Sequence, residues 1–234
     1  MKTSIIVPAR NEVQSIGACL ERLCRIVRDE HDLPVEIIVV DDASTDGTAE
    51  IVRAEMHRDA AIRLVSRSAP SGFGRAVRTG LEHVTGDVVV ITMADRSDDA
   101  EDIVRYVRKI EEGYDCVFGS RFVPGARVVN YPPLKRMLNR AANRVVQLLF
   151  WTPFNDLTNA FKAYRSHVIR ECGPFAGTGF ELTLEIALRA VTRRYRIAQV
   201  PVGWRERAGG RSKLRLVPMI PRYVGAIARA RVVG

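Results

Sequence analysis

Five short, largely apolar runs, at positions 3–7, 35–40, 62–65, 87–92 and 116–118, alternate with segments whose apolar residues recur at helical spacing. Ile16, Cys19, Leu20, Leu23 and Val27 share one helical face, as do Ile103, Val107 and Ile110. Helices are expected at 47–57, 73–84 and 99–112 as well. Strands separated by helices cannot form hairpins with one another. They are built as a mainly parallel, doubly wound α/β sheet with helices on both faces. All parallel strands end at one edge, and open α/β sheets bind ligands outside that edge.

The second half is less regular. A helix is expected over 134–150, a short strand over 160–164, a helix over 180–191 and a strand over 197–200 ended by Pro201. Beyond residue 214 the chain is apolar and basic, and Pro218 and Pro221 predict a helix that is broken or starts late. Residues 1–213 are therefore read as one domain and 214–234 as a basic amphipathic tail. No repeat or low-complexity linker divides the 234 residues.

Composition enters the argument through charge. The formal net charge is +9 and the pI about 9.8, a balance that favours anionic partners. No nucleic-acid module or interleaved aromatic pattern accompanies the basic stretches, so nucleic acid is set aside. Cys19, Cys24, Cys116 and Cys172 lack metal-binding spacing and read as buried free thiols of a reducing compartment. No signal peptide or stretch of membrane-spanning length is visible, which predicts a cytoplasmic protein, peripheral on the membrane face if it meets a membrane.

The strand ends carry the chemistry. Residues 37–40 run into Asp41-Asp42-Ala43-Ser44-Thr45-Asp46-Gly47-Thr48, and residues 88–92 run into Met93-Ala94-Asp95-Arg96-Ser97-Asp98. Carboxylates gathered at such an edge suit a ribose, a sugar ring or a cation carrying phosphates. Ser44 or Asp46 could cap the following helix, but capping leaves the paired acids unexplained, so Asp42 is assigned a ligand contact. Asp95 is the candidate for a metal or diphosphate site, while Asp98 and Asp99 also fit the acidic first turn of a helix. Glu12 fits either a nucleoside contact or a helix-start acid. Arg121 follows another strand end and offers bidentate donors matched to phosphate, with a surface ion pair as the alternative. Residues 71–76, Ser-Gly-Phe-Gly-Arg-Ala, fit a phosphate cradle or a packing turn. Arg207, Arg211 and Lys213 surround Gly209-Gly210 in a basic loop that could close over a diphosphate.

Taken in order, these segments resemble the inverting family 2 glycosyltransferases of the GT-A fold, and within them the dolichyl-phosphate mannose synthase and polyprenyl-phosphate glycosyltransferase branch. The resemblance spans roughly residues 3–215. It rests on residues 7–12, Val-Pro-Ala-Arg-Asn-Glu, on residues 39–48, on Gly119-Ser120-Arg121, on residues 135–143 and on Arg207 with Ser212-Lys213. It implies that Pro8, Arg10, Glu12, Val40 and Asp42 hold the nucleoside. Ala94, Asp95 and Ser97 would lie at the metal, Mg2+ or Mn2+, and the diphosphate, with Asp95 and Ser97 as metal ligands. Arg207 and Lys213 would bind the diphosphate, and Arg121, Lys135 and Asn139 the acceptor's phosphate. Met93 departs from the pattern, because it replaces the first acid of the usual Asp-x-Asp motif and thioether sulfur is a poor ligand for a hard cation.

The activity implied is transfer of mannose or glucose from GDP-mannose or UDP-glucose to a polyprenyl or dolichyl phosphate. Asp95, Arg121 and Lys135 would carry the chemistry. A phosphate acceptor needs no strong general base, which fits a chain with no obvious one. The apolar, basic segments 134–153 and 214–234 are then expected either to lie on an anionic bilayer or to pack as ordinary core-facing helices. Two other readings stand beside this one: a transferase with a soluble or saccharide acceptor, and a non-catalytic nucleotide-sugar-binding protein that lost its metal site at Met93.

Overall fold

The computed structural model describes residues 1–206 and 216–233. The first half follows the expected alternation, β1 (Thr3–Ala9), α1 (Ile16–Leu23), β2 (Val35–Asp42), α2 (Thr48–Arg58), β3 (Ile62–Arg67), α3 (Phe73–Glu82), β4 (Val88–Ile91), α4 (Ala100–Glu111) and β5 (Cys116–Ser120). Two details differ. Helix α1 passes directly into a π-helical turn, Cys24–Glu30, and β1 continues through Pro8 instead of ending before it. The second half comprises β6 (Arg127–Val129), α5 (Pro133–Phe150), β7 (Lys162–Arg165), α6 (Ser166–Cys172), α7 (Glu181–Thr192), β8 (Ile197–Pro201), β9 (Gly203–Arg205) and α8 (Leu216–Val233).

Seven strands form one sheet in the order β3-β2-β1-β4-β7-β5-β8. Pairing is parallel throughout except at β7, which inserts antiparallel between β4 and β5. The mainly parallel, doubly wound sheet is therefore present. Successive side chains of a strand point to opposite faces. Ile5, Val7, Ile37, Val39, Val88 and Val90 accordingly pack with α1, the π-turn, α2 and α4. Ile6, Ile38, Val40, Val89 and Ile91 pack on the other face with α3, α5, α6, α7 and α8. All four cysteines are buried and free.

Strands β6 and β9 and helix α6 are not foreseen from sequence. β6 and β9 pair in parallel as a separate ribbon, Arg127 opposite Gly203 and Val129 opposite Arg205. β9 also crosses to the turn after β4, since Arg205 N–H donates to Ser97 O at 2.9 Å and Trp204 bridges Asp98. The tail corrects an expectation too, because α8 runs continuously with Pro221 inside it. Its Ala226 and Ala230 are buried, and Arg229 donates to buried Glu185 of α7 at 3.0 Å.

Helix α5 is nearly free of core contacts. Of its 18 residues only Asn143 and Val146 are buried. Leu134, Met137, Leu138, Val145, Leu148 and Leu149 lie at helical spacing on one exposed stripe, and Trp151 at its end is 93% exposed. The core-facing reading of 134–150 is thus overturned.

Helix α3 crosses β1 closely because residue 80 has no side chain. A Cβ there would lie 2.6 Å from Ile6 Cγ2, and Ile6 belongs to a strand hydrogen-bonded on both sides. Gly80→Ala should therefore destabilise the fold by about 1–2 kcal/mol, overpacking of 1–3 kcal/mol being partly offset by the helix preference for alanine. Urea denaturation measures this, and an unchanged or raised midpoint would disprove the tight crossing.

Candidate active site

The carboxyl ends of β1, β2 and β4 share one edge, with β1 between the other two. The turns after β1 and β2 are laced together. Asn11 Oδ1 accepts from Thr45 N–H at 2.9 Å, Ser44 Oγ from Asn11 N–H at 3.0 Å, Thr48 Oγ1 from Glu12 N–H at 2.9 Å, and Asp46 Oδ2 from Val13 N–H at 3.1 Å. Burial raises the pKa of Asp46, but hydrogen bonds from Thr48 and Val13 outweigh it and hold the carboxyl below its ordinary value. Ser44 thus ties two turns together and does not cap α2. Pro8 and Val40 lie within the paired ends of β1 and β2, while Arg10 is exposed and Glu12 half-buried in the turn beyond.

Asp42 is buried and already engaged. It pairs with Arg67, and its Oδ2 accepts from Gly72 N–H at 2.6 Å. Asp42 therefore orders the start of α3, and residues 71–76 are the packed beginning of that helix, where Gly74 N–H donates to Thr178 O at 3.1 Å. The neighbouring Asp41 is the acid with an open position, because its buried Oδ1 has no hydrogen-bond partner. Asp42 and Asp95 do reach the same edge, separated by β1 and not carried on adjacent strands.

After β4 the chain turns through Arg96 at φ 59°. Asp95 Oδ1 accepts from Ser97 N–H at 3.0 Å, and Ala94 and Ser97 are buried beside it. Asp98 Oδ2 accepts from Thr92 Oγ1 at 3.2 Å and Met93 N–H at 3.1 Å. Desolvation, then the adjacent Asp95 carboxylate, pushes the Asp98 pKa up to about 7. Asp99 is the helix-start acid, accepting from Glu101 N–H at 3.3 Å and pairing with Arg22 at 2.7 Å.

Among the described residues no cluster of three His, Cys, Asp or Glu side chains is placed to hold a metal. The oxygen donors of the turn are the Asp95 carboxylate, the neighbouring Asp98 carboxyl, one of whose oxygens is taken up by Thr92 and Met93, and the Ser97 hydroxyl. That set fits a hard cation which takes most of its ligands from a diphosphate and water, and it does not fit a cage supplied by protein alone. Arg207 and Lys213 lie outside the described residues.

A second cluster lies past β5. Arg121, Lys135 and Asn139 converge on Tyr131. The Arg121 guanidinium lies 5.5 Å from the Tyr131 ring, the Lys135 ammonium 5.8 Å from it, and Asn139 Nδ2 donates to the Tyr131 hydroxyl. Trp204 of β9 closes the other side, its ring 4.7 Å from Tyr131 and 5.3 Å from Lys135 Nζ. Both cations have anionic partners. Arg121 Nε and Nη2 each donate to Asp156 at 2.8 Å, and Lys135 pairs with Glu206 at 3.3 Å.

Sequence reasoning missed Asp156, Tyr131, Trp204, Glu206 and Lys162. Lys162 is fully buried on β7 and donates to Leu157 O at 2.9 Å and to Asn159 O. Burial depresses its pKa to about 7, with Asp156 acting upward and Arg121 downward. An isolated lysine in a short strand gives no sequence signal of this.

Comparison with known proteins places the chain. Residues 4–182 match the model of glycosyl transferase family 2, and the chain belongs to that family. It is 30% identical over 220 residues to an undecaprenyl-phosphate mannosyltransferase of Micrococcus luteus, covering 92% of this chain and 88% of that protein. It is 33% identical over 206 residues to a dolichyl-phosphate hexose transferase of Haloferax volcanii, covering 88% and 84%. Among solved structures, glucosyl-3-phosphoglycerate synthase of Mycobacterium tuberculosis, in complex with Mn2+, UDP and glucosyl-3-phosphoglycerate, superposes with a TM-score of 0.76 at 20% identity, covering 98% of this chain and 79% of that one. The shared architecture is the GT-A fold.

Lys162 gives a pH signature. Its folded pKa of about 7 lies below the ordinary 10.5, so between these values the unfolded chain binds the extra proton and stability rises with pH. Lys162→Met removes that titration. Its thermal midpoint relative to the native protein should fall as pH is raised from 6 to 10, and a flat difference would show that Lys162 stays charged throughout.

Proposed function

We propose that this protein is an inverting glycosyltransferase that moves a hexose, mannose or glucose, from a nucleotide sugar such as GDP-mannose or UDP-glucose to a polyprenyl or dolichyl phosphate. The observation that carries the reading is the cluster of Arg121, Lys135 and Asn139 around Tyr131, joined through β9 to the Ser97–Asp98 turn. Cations matched to a phosphate thereby stand next to the turn assigned to the donor's diphosphate.

In this reading Pro8, Arg10, Glu12, Val40 and Asp42 shape the nucleoside pocket, and Ala94 and Asp95 meet the diphosphate. Arg207 and Lys213 are assigned to the same diphosphate by family resemblance. A bound Mg2+ or Mn2+, held by Asp95 and Ser97, would neutralise charge on the leaving diphosphate. Arg121, Lys135 and Asn139 hold the acceptor phosphate in line with the anomeric carbon. A phosphate oxygen, anionic near neutral pH, attacks that carbon as the bond to the nucleoside diphosphate breaks, and configuration inverts. No proton has to be removed from the nucleophile.

A lipid acceptor also gives the exposed stripe of α5 a use. Leu134, Met137, Leu138, Val145, Leu148 and Leu149 would enter the outer layer of a bilayer, with exposed Arg136, Arg140 and Arg144 alongside for anionic headgroups. Among the described residues no helix is long and apolar enough to cross a membrane. In this reading the protein acts peripherally, on the cytoplasmic face, where the exposed stripe of α5 meets the bilayer. A neutral saccharide acceptor finds less support, because it would leave the cationic cluster without a role.

Transfer of radiolabelled hexose from GDP-mannose or UDP-glucose to a short polyprenyl phosphate, with Mg2+ present, tests the reading. Label should move into the organic phase. Arg121→Ala should reduce transfer at least 100-fold while nucleoside diphosphate binding persists. Aqueous label with every donor would sink the activity. Lipid contact is tested separately by sedimentation with vesicles containing anionic phospholipid. Replacing Leu134, Met137 and Leu148 together by serine should weaken partitioning by on the order of tenfold or more, and equal sedimentation would remove α5 from the interface.

A further inference from the structure

The geometry points to Asp156 as a positioning residue that sets the direction of the Arg121 guanidinium at the acceptor phosphate. This inference rests on the acceptor reading above and adds to it the group that makes Arg121 competent. Asp156 lies in the turn between α5 and β7 and is 1% exposed. It accepts three hydrogen bonds from one residue, from Arg121 N–H at 2.9 Å, Nε at 2.8 Å and Nη2 at 2.8 Å. That grip consumes the Nε–Nη2 edge of the guanidinium fork, so the Nη1 side is what remains for a ligand. The stacked rings of Phe122 and Tyr131 lie on the same side, 5.6 and 5.5 Å from Cζ.

Asp156 is itself held. Asn159 N–H donates back to Asp156 O at 3.1 Å, and Asn159 Nδ2 reaches Gly119 O at 3.0 Å. Ser120 Oγ donates to Asn155 Oδ1 at 2.6 Å, and Lys162 Nζ anchors Leu157 O from beneath. From α5, Asn143 Nδ2 donates to Thr158 Oγ1 at 2.8 Å while Asn143 Oδ1 accepts from Thr158 N–H at 3.0 Å. Arg121, which directly follows β5, and α5, which carries Lys135 and Asn139, are therefore fixed to the same stretch of chain, residues 155–159.

Thermodynamics favours orientation over stability as the use of this pair. A buried ion pair gives little stability beyond well-packed apolar side chains, because desolvation offsets the Coulomb attraction. Its geometric effect is large, since an arginine with a free fork samples many rotamers and this one has a single orientation.

The test uses the full chain with polyprenyl phosphate and nucleotide sugar, and measures acceptor KM, kcat and nucleoside diphosphate affinity separately. Asp156→Asn should raise acceptor KM at least tenfold and leave diphosphate affinity within twofold. Combined with Arg121→Ala it should cost no more than Arg121→Ala alone, because Asp156 acts through Arg121. Losses that multiply, or an unchanged acceptor KM in Asp156→Asn where Arg121→Ala raises it, would overturn the inference. An unchanged acceptor KM in Arg121→Ala would instead overturn the acceptor reading. If Asp156→Asn does not fold, Arg121→Lys carries the test. Lysine keeps the charge but cannot be gripped through two nitrogens, so its acceptor KM should stay within threefold of Arg121→Ala, and recovery to the native value would refute positioning.

Discussion

Parallel pairing of β1 on both sides is the constraint from which the site follows. Ile5 stands opposite Ile37 on β2 and Val90 on β4, and this register sends the ends of three strands to one edge. A slip by one residue would exchange Ile5 and Val7 with Ile6 and put both halves of the core on the wrong faces. Burial on both faces therefore fixes where Asp42 and Asp95 emerge. Hydrogen bonds among Asn11, Ser44 and Thr45 then fix the turn after Asp42, and those from Thr92, Met93 and Ser97 fix the turn that holds Asp95.

Electrostatics at the cluster around Tyr131 follows a different logic from overall charge. The chain carries +9, yet Arg121 and Lys135 are each matched with a carboxylate. Asp156 holds one edge of the Arg121 guanidinium, and Glu206 pairs with the Lys135 ammonium. The two anions are unlike. Asp156 is wholly buried and gripped at three points, whereas the Glu206 side chain is 26% exposed and, among the described residues, pairs with Lys135 at 3.3 Å or longer. Competition for Lys135 is accordingly easy and competition for Arg121 is not.

The first five strands were legible because β-branched runs and helical spacing are local signals. β6 and β9 are three residues long, too short for any period to register, and their partners are each other, some 75 positions apart. Nothing local reveals that β7 would enter antiparallel between β4 and β5. The spacing of Leu134, Met137 and Leu138 shows an apolar face but not what covers it, so only the tertiary structure turns that face outward. Arg121, Lys135 and Asn139 were reachable through family resemblance. Asp156 was not, because it sits 35 residues after its partner in a turn without periodicity. Asp42 shows the reverse difficulty, since a strand-end acid that reads as a ligand contact also serves Arg67 and Gly72.

Glu185 makes the C-terminal helix part of the body of the domain. It is fully buried and divides its two oxygens between Arg189 of its own helix, at 2.8 Å, and Arg229 of α8, at 3.0 Å. Cutting the chain ahead of Leu216 would take one of these cations away and bare the surface of α7 that Ala226 and Ala230 cover. Such a shortened protein would fail through its interior, so deletion of the terminal helix reports on folding and is unsuited to asking how the enzyme meets a lipid.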